Sequence, residues 1–139
     1  MQSISVITLG VADLARSRHF YTQGFWWTPV FENDQIIFYQ LNGVVLGTFL
    51  TAALEEDMQR SGLQQRGAFA LAQNVTERDA VTPLLDRLVA ARGSLLRAPR
   101  GPPHGGFRGY VADPGEHAWE VAWMPVFIID EQGNVTFGA

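Results

Sequence analysis

The chain has 139 residues, 47% of them apolar and 17% charged, with no cysteine and a formal net charge of -4. This is the composition of one globular domain large enough to bury a core, and it excludes disordered chains, disulfide frameworks and thiolate chemistry. The negative balance gives no electrostatic basis for gripping phosphate backbones, so nucleic acid is not an expected partner.

In chain order, "ISVITLGV" (4–11) is β-branched and apolar and reads as a buried strand. Asp13 is placed as the N-cap of a helix running to about Thr22, with Leu14, Ser17, Phe20 and Tyr21 on one side and His19 opposite. Three strand-like segments follow at 26–32, 35–41 and 44–50, broken by turn chemistry at Asn33-Asp34 and Asn42-Gly43. The polar stretch 55–67 reads as a partly helical surface connection. The order then repeats. A strand is expected at 68–75. Thr76 and Asp79 have capping-box spacing for a helix running to Arg92, and Thr82-Pro83 offers a later start. Val81, Leu84, Leu85, Leu88 and Val89 form its apolar stripe. Strands are expected at 94–98, 107–113 and 118–124, and an extra hairpin at 126–137.

Strand-helix-strand-strand-strand, written twice, defines an α+β domain. Two βαβββ modules would share a curved mixed sheet with helices on the convex face and a concave cup on the other. The expected layout is one domain over 1–139, with modules at about 4–54 and 67–124 and a hairpin tail at 125–139. The apolar run "VAWMPVFII" (121–129) contains Pro125 and is far shorter than the roughly 20 residues that span a bilayer. The start, "MQSISVITLGVADL", lacks a basic leader region, so a cytoplasmic protein with no membrane partner is expected.

Within "DPGEHAWEVAW" (113–123), Glu120 is the one carboxylate in an apolar strand, where an acid must be paired, protonated or bound to metal. Period-2 alternation puts Ala118 and Ala122 on the face of Glu120, with Trp119, Val121 and Trp123 under the helices. Pairing across the turn sets Ala112 opposite Ala118, Tyr110 opposite Glu120 and Arg108 opposite Ala122, which places a phenol, a guanidinium and a carboxylate on one wall. Two readings stand: Glu120 binds a ligand or acts as a base, or it is an acid satisfied internally by Arg108 or Tyr110. The loop 97–108 adds Arg97, Arg100 and His104 to Arg108, a local positive patch suited to an anionic ligand. His117 is assigned to the turn or to the opposite face. Phe38 and Phe49 are candidates to line the cup and stack on a planar ligand, while the other aromatics are core by default.

The segments "VITLGVADLARSRHFYTQGFWW" and "GYVADPGEHAWEVAW" resemble the vicinal oxygen chelate superfamily, which includes glyoxalases, bleomycin-resistance proteins, fosfomycin-resistance enzymes and extradiol dioxygenases. The resemblance spans about residues 4–124 and implies paired βαβββ modules, with a divalent metal in the cup of the metalloenzymes. Its four ligand positions would fall at or beside Val6, within 44–50, near Ala68 and at Glu120, and Glu120 alone is a ligand type. No metal and no cofactor is therefore expected. The leading expectation is a metal-free small-molecule-binding protein holding an anionic or aromatic ligand near Glu120, Tyr110, Arg108, His104, Phe38 and Phe49. The resemblance also implies an alternative, a glyoxalase-type lyase, isomerase or dioxygenase with Glu120 as acid/base and a metal completed by His104 or by ligand oxygens. A further alternative is an interaction module. A homodimer is expected, since families of this kind are often dimeric and some complete their cups at the interface.

Overall fold

A computed structural model describes residues 1–103 and 105–138. Strand β1 (Val6–Val11) leads into helix α1 (Leu14–His19), which continues as a π-helical turn at Phe20–Gly24. Asp13 caps α1 by accepting a 3.0 Å hydrogen bond from the Arg16 amide, as its residue type and position require. Strands β2 (Pro29–Glu32), β3 (Ile36–Gln40) and β4 (Val45–Leu50) follow, then α2 (Thr51–Met58). The second half carries β5 (Leu71–Asn74), α3 (Val81–Ala90), β6 (Ser94–Arg100), β7 (Phe107–Ala112) and β8 (Ala118–Trp123). A terminal hairpin pairs β9 (Phe127–Ile129) with β10 (Val135–Phe137).

The strands form two four-stranded mixed sheets, β1-β4-β3-β2 and β5-β8-β7-β6, plus the hairpin. The repeat read from the chain is therefore real: both sheets have one order, with a parallel first pair (β1 with β4, β5 with β8). The modules do not continue into one sheet, because β1 and β5 are edge strands.

Two local expectations give way to geometry. The capping box at Thr76 and Asp79 is not made. Instead a 3-10 turn at Arg78–Ala80 feeds α3, and Pro83 sits in its first turn, where a missing backbone N–H is harmless. The connection helix begins at Thr51, earlier than its polar sequence suggests, and buries Leu54.

One core joins the halves. Leu9, Ile37, Tyr39 and Leu46 of the first sheet meet Phe20, Tyr21 and Phe25. These in turn pack with Val81, Leu84, Leu85 and Leu88 of α3 and with Val111, Trp119 and Val121 of the second sheet. The helices touch closely: a Cβ on Gly24 would lie 2.7 Å from Leu88 Cδ2, so any larger residue there would displace the Leu88 side chain. Arg87 adds a clasp, donating to the Gly24 carbonyl at 2.7 Å and stacking 3.6 Å from the Trp26 ring centroid. Trp26 is thus an exposed stacking platform rather than a core residue.

Tyr21 and Trp27 lie between the sheets. The Tyr21 ring is 5.7 Å from Tyr39 and 6.0 Å from Trp119, and Trp27 is 5.9 Å and 5.8 Å from the same two rings. Each sheet therefore turns its apolar face inward, and the two outer faces point away from each other.

Candidate functional site

The outer face of the second sheet has the register read from the sequence. Tyr110 pairs with Glu120, Arg108 with Ala122, and Ala112 with Ala118. On β5, Ala72 lies level with Glu120. Arg97 is the β6 partner of Tyr110, and Arg100 that of Arg108. Arg108 Nη1 approaches Glu120 Oε2 at 3.3 Å, with both side chains mostly but not fully covered. Burial on a strand face leaves the carboxylate needing a donor, and Arg108, one diagonal step away, supplies it. Glu120, Tyr110 and Arg108 are thus brought together, and the internal pairing is made.

Phe38 and Phe49 are not part of this wall. Both lie on the outer face of the first sheet, where the Phe38 ring folds over Gly47, leaving only 3.0 Å to a Cβ built there. Phe31 flanks it with ring centroids 6.0 Å apart. His104 lies outside the described residues.

The pseudo-symmetry of the modules gives the three positions equivalent to Glu120. Glu120 pairs with Tyr110 and is level with Ala72; in the first module Gly47 pairs with Phe38 and is level with Thr8. The equivalent quartet is Thr8, Gly47, Ala72 and Glu120, so the expected positions near Val6 and Ala68 each shift along their strands. Glycine and alanine offer no side-chain donor, threonine a neutral hydroxyl, and the single carboxylate is engaged by Arg108. This donor set does not fit a divalent ion, which takes three or more protein ligands at a catalytic site. Among the described residues no cluster of three or more His, Asp or Glu side chains is arranged to hold one.

A second constellation escaped the sequence reading. Asp113, at the end of β7, is 2% exposed and accepts from the Tyr21 hydroxyl at 2.6 Å and from the His117 amide at 2.8 Å. His117 Nδ1 lies 2.8 Å from Asp113 Oδ2, and Trp119 Nε1 donates to Tyr21 Oη at 3.1 Å. Burial and the neighbouring Asp113 carboxylate push the Tyr21 phenol well above its ordinary range, so it stays a hydrogen-bond donor. The signal available in the sequence was Asp and His four apart around a turn. The turn itself is set by a left-handed Glu116 (φ 70), which swings His117 back onto Asp113.

A cavity of about 560 Å³ lies elsewhere, between the modules and the terminal hairpin. Trp27, Trp119, Leu46 and Leu71 face Asn42 and Asn134 across it.

Two sheets with repeated order, joined through helices, define a protein of the glyoxalase type. The family model for the glyoxalase/bleomycin resistance protein/dioxygenase superfamily matches residues 3–121, and the chain belongs to that superfamily. The chain is 53% identical to a glyoxalase-related enzyme from Fulvimarina pelagi over 100% of both chains, with a TM-score of 0.98. It shares its fold with a lactoylglutathione lyase from Agrobacterium tumefaciens (20% identity, 90% of this chain and 96% of that one, TM-score 0.73). A similar fold occurs in the fosfomycin resistance protein FosX from Mesorhizobium loti (18% identity, 89% and 93% covered, TM-score 0.67). No curated protein matches the sequence. No helix among the described residues is long and apolar enough to cross a membrane.

Proposed function

We propose that this chain binds a small anionic or aromatic molecule at the Glu120 wall without a resident metal, and that two copies close the site together. The observation that carries this reading is the quartet Thr8, Gly47, Ala72 and Glu120, which keeps one acid and ties it to Arg108. Arg97 and Arg108 on either side of Tyr110 supply the attraction for an anion, and the phenol supplies a hydrogen-bond donor. A homodimer would set the aromatic outer face of one chain's first sheet, with Phe38 and Phe49, against the polar outer face of the other chain's second sheet. The open edge strands β1 and β5 support such pairing.

A second reading has one observation in its favour. The 53% identical neighbour is described as a glyoxalase-related enzyme, which keeps open a lyase, isomerase or dioxygenase with Glu120 as acid/base. Elemental analysis separates the two, on protein loaded with zinc, nickel or iron and then desalted, wild type beside Glu120→Ala. The binding reading expects no retained metal in either protein, and ligands that quench tryptophan fluorescence in the wild type but not in the variant. Near-stoichiometric metal that disappears with Glu120→Ala would replace it with the enzyme reading.

A further inference from the structure

The Asp113–His117 pair is used by nothing described so far, although it is costly to build. Asp113 is buried, and a carboxylate can only accept. Nδ1 of His117 must therefore carry its proton toward Asp113, which leaves Nε2 as the basic nitrogen of the neutral ring. No described residue hydrogen-bonds Nε2, and it is not among the buried polar atoms left unpartnered, so it is open to solvent space. Gly115 leaves room for the ring: a Cβ there would come within 2.9 Å of His117 Cε1.

His117 opens on a recess of about 240 Å³ walled by Phe69, Leu96, Ala112 and Ala118, with Arg66 at its rim. Arg66 is paired with Glu116 at 3.0 Å, but both side chains are more than half exposed, so this ion pair is weak and the guanidinium is available to an anion. The charged and titratable groups around the ring are Asp113, Glu116 and Arg66, with Tyr21 behind Asp113. An oriented imidazole, apolar walls and a cation at the rim are the parts of a proton-abstraction site.

We infer that His117 is a general base for a planar, largely apolar and weakly acidic small molecule bound in this recess. Asp113 is its positioning residue, and Arg66 receives the charge that develops on the ligand. The substrate's acidic proton passes to Nε2 while its bonding electron pair stays on the ligand, and the imidazolium returns the proton to water. The site adjoins the Glu120 wall, since Ala112 and Ala118 are the next outward-facing pair along the same strands, but it does not depend on Glu120.

A suitable probe is 5-nitrobenzisoxazole. A base removes its ring C–H proton, the electron pair completes a nitrile, and the N–O bond breaks to release a coloured cyanonitrophenolate. Wild-type protein is expected to give saturable turnover above that of free 4-methylimidazole. His117→Gln should lower it about a hundredfold, in the range usual for general bases. Asp113→Asn should lower kcat about tenfold or more while leaving KM within about twofold, because the ring keeps its recess but Nε2 loses its fixed orientation. His19→Gln should leave it unchanged. Wild-type turnover no faster than that of His117→Gln, or turnover lost with His19→Gln, overturns the inference. Turnover lost with Glu120→Gln but kept with His117→Gln also overturns it, while leaving the Glu120 reading intact. If His117→Gln fails to fold, the wild-type ring is followed by NMR with the unreactive analogue 5-nitrobenzotriazole. A saturable shift of the His117 resonances supports the inference, and no shift overturns it.

Discussion

Two buried tyrosines show how much the partner of a hydroxyl matters. Tyr21 and Tyr39 are both 0% exposed and 5.7 Å apart, yet the Tyr21 hydroxyl bridges Asp113 and Trp119 while that of Tyr39 has no partner among the described residues. Burial raises the Tyr39 phenol to about 12. Removing the Tyr21 hydroxyl strands the Trp119 N–H and takes from a buried carboxylate oxygen one of its two donors, so Tyr21→Phe should cost about 1–3 kcal/mol. Tyr39→Phe removes an unpaired polar atom and should be neutral or stabilising. Urea unfolding of the two variants beside wild type checks the contrast, and equal losses would contradict it.

At this scale the sequence was informative about faces and silent about rotations. Alternation along a strand has period 2 whatever surrounds it, so Glu120, Tyr110 and Arg108 could be set on one wall from letters alone. His117 could not be placed, because its direction depends on a left-handed residue in the turn, a conformation that Glu116 does not advertise. Trp26 misled for a similar reason: its backbone is also left-handed (φ 64), which turns the ring outward beneath Arg87.

Elements follow local chemistry where a side chain can satisfy the backbone directly. Asn33 does so at the β2–β3 turn, accepting from the Gln35 and Ile36 amides at 2.9 Å each. Asp130 does the same for the terminal hairpin, accepting from the Gln132 and Asn134 amides at 2.9 Å and 2.8 Å and from the Asn134 side chain at 3.1 Å. These donors, Asn134 above all, hold its carboxyl below the ordinary aspartate value of about 3.9. Because the folded value lies below the unfolded one, the carboxylate's contribution is complete above the unfolded value and is lost as the pH falls through the folded one. The hairpin should therefore loosen on acidification below about pH 4. Amide exchange at Gln132 and Asn134 should rise relative to that of β7 and β8. In Asp130→Ala the exchange should already be fast at neutral pH and show no such dependence. The α3 start is the counter-example: two cap patterns competed in the sequence, and neither side chain makes the cap.

In the whole molecule, the terminal hairpin carries a group of exposed apolar side chains that the proposed second chain would cover. Ile128, Val135 and Phe137 of the hairpin are 58%, 52% and 65% exposed. Val6 on the edge strand β1, and Phe69 just ahead of the edge strand β5, are also exposed. The full chain should run at twice its 15.4 kDa in light scattering, and deletion of residues 125–139 should halve that mass. A deletion that stays dimeric would place the interface on the sheet edges instead.

The sequence by itself determined the two-module order, the turns at Asn33-Asp34 and Asn42-Gly43, the β7–β8 register and the scarcity of metal-ligating residue types. All of these follow from short-range periodicity, from local side-chain-to-backbone bonds and from residue type. Only the tertiary structure decided that the sheets face each other through their helices, that Phe38 and Glu120 look in opposite directions, and that Tyr21 reaches Asp113. Those outcomes depend on how two apolar faces close over one another. Packing of that kind joins residues 92 positions apart, as in the Tyr21–Asp113 bond, and leaves no periodic trace in the chain.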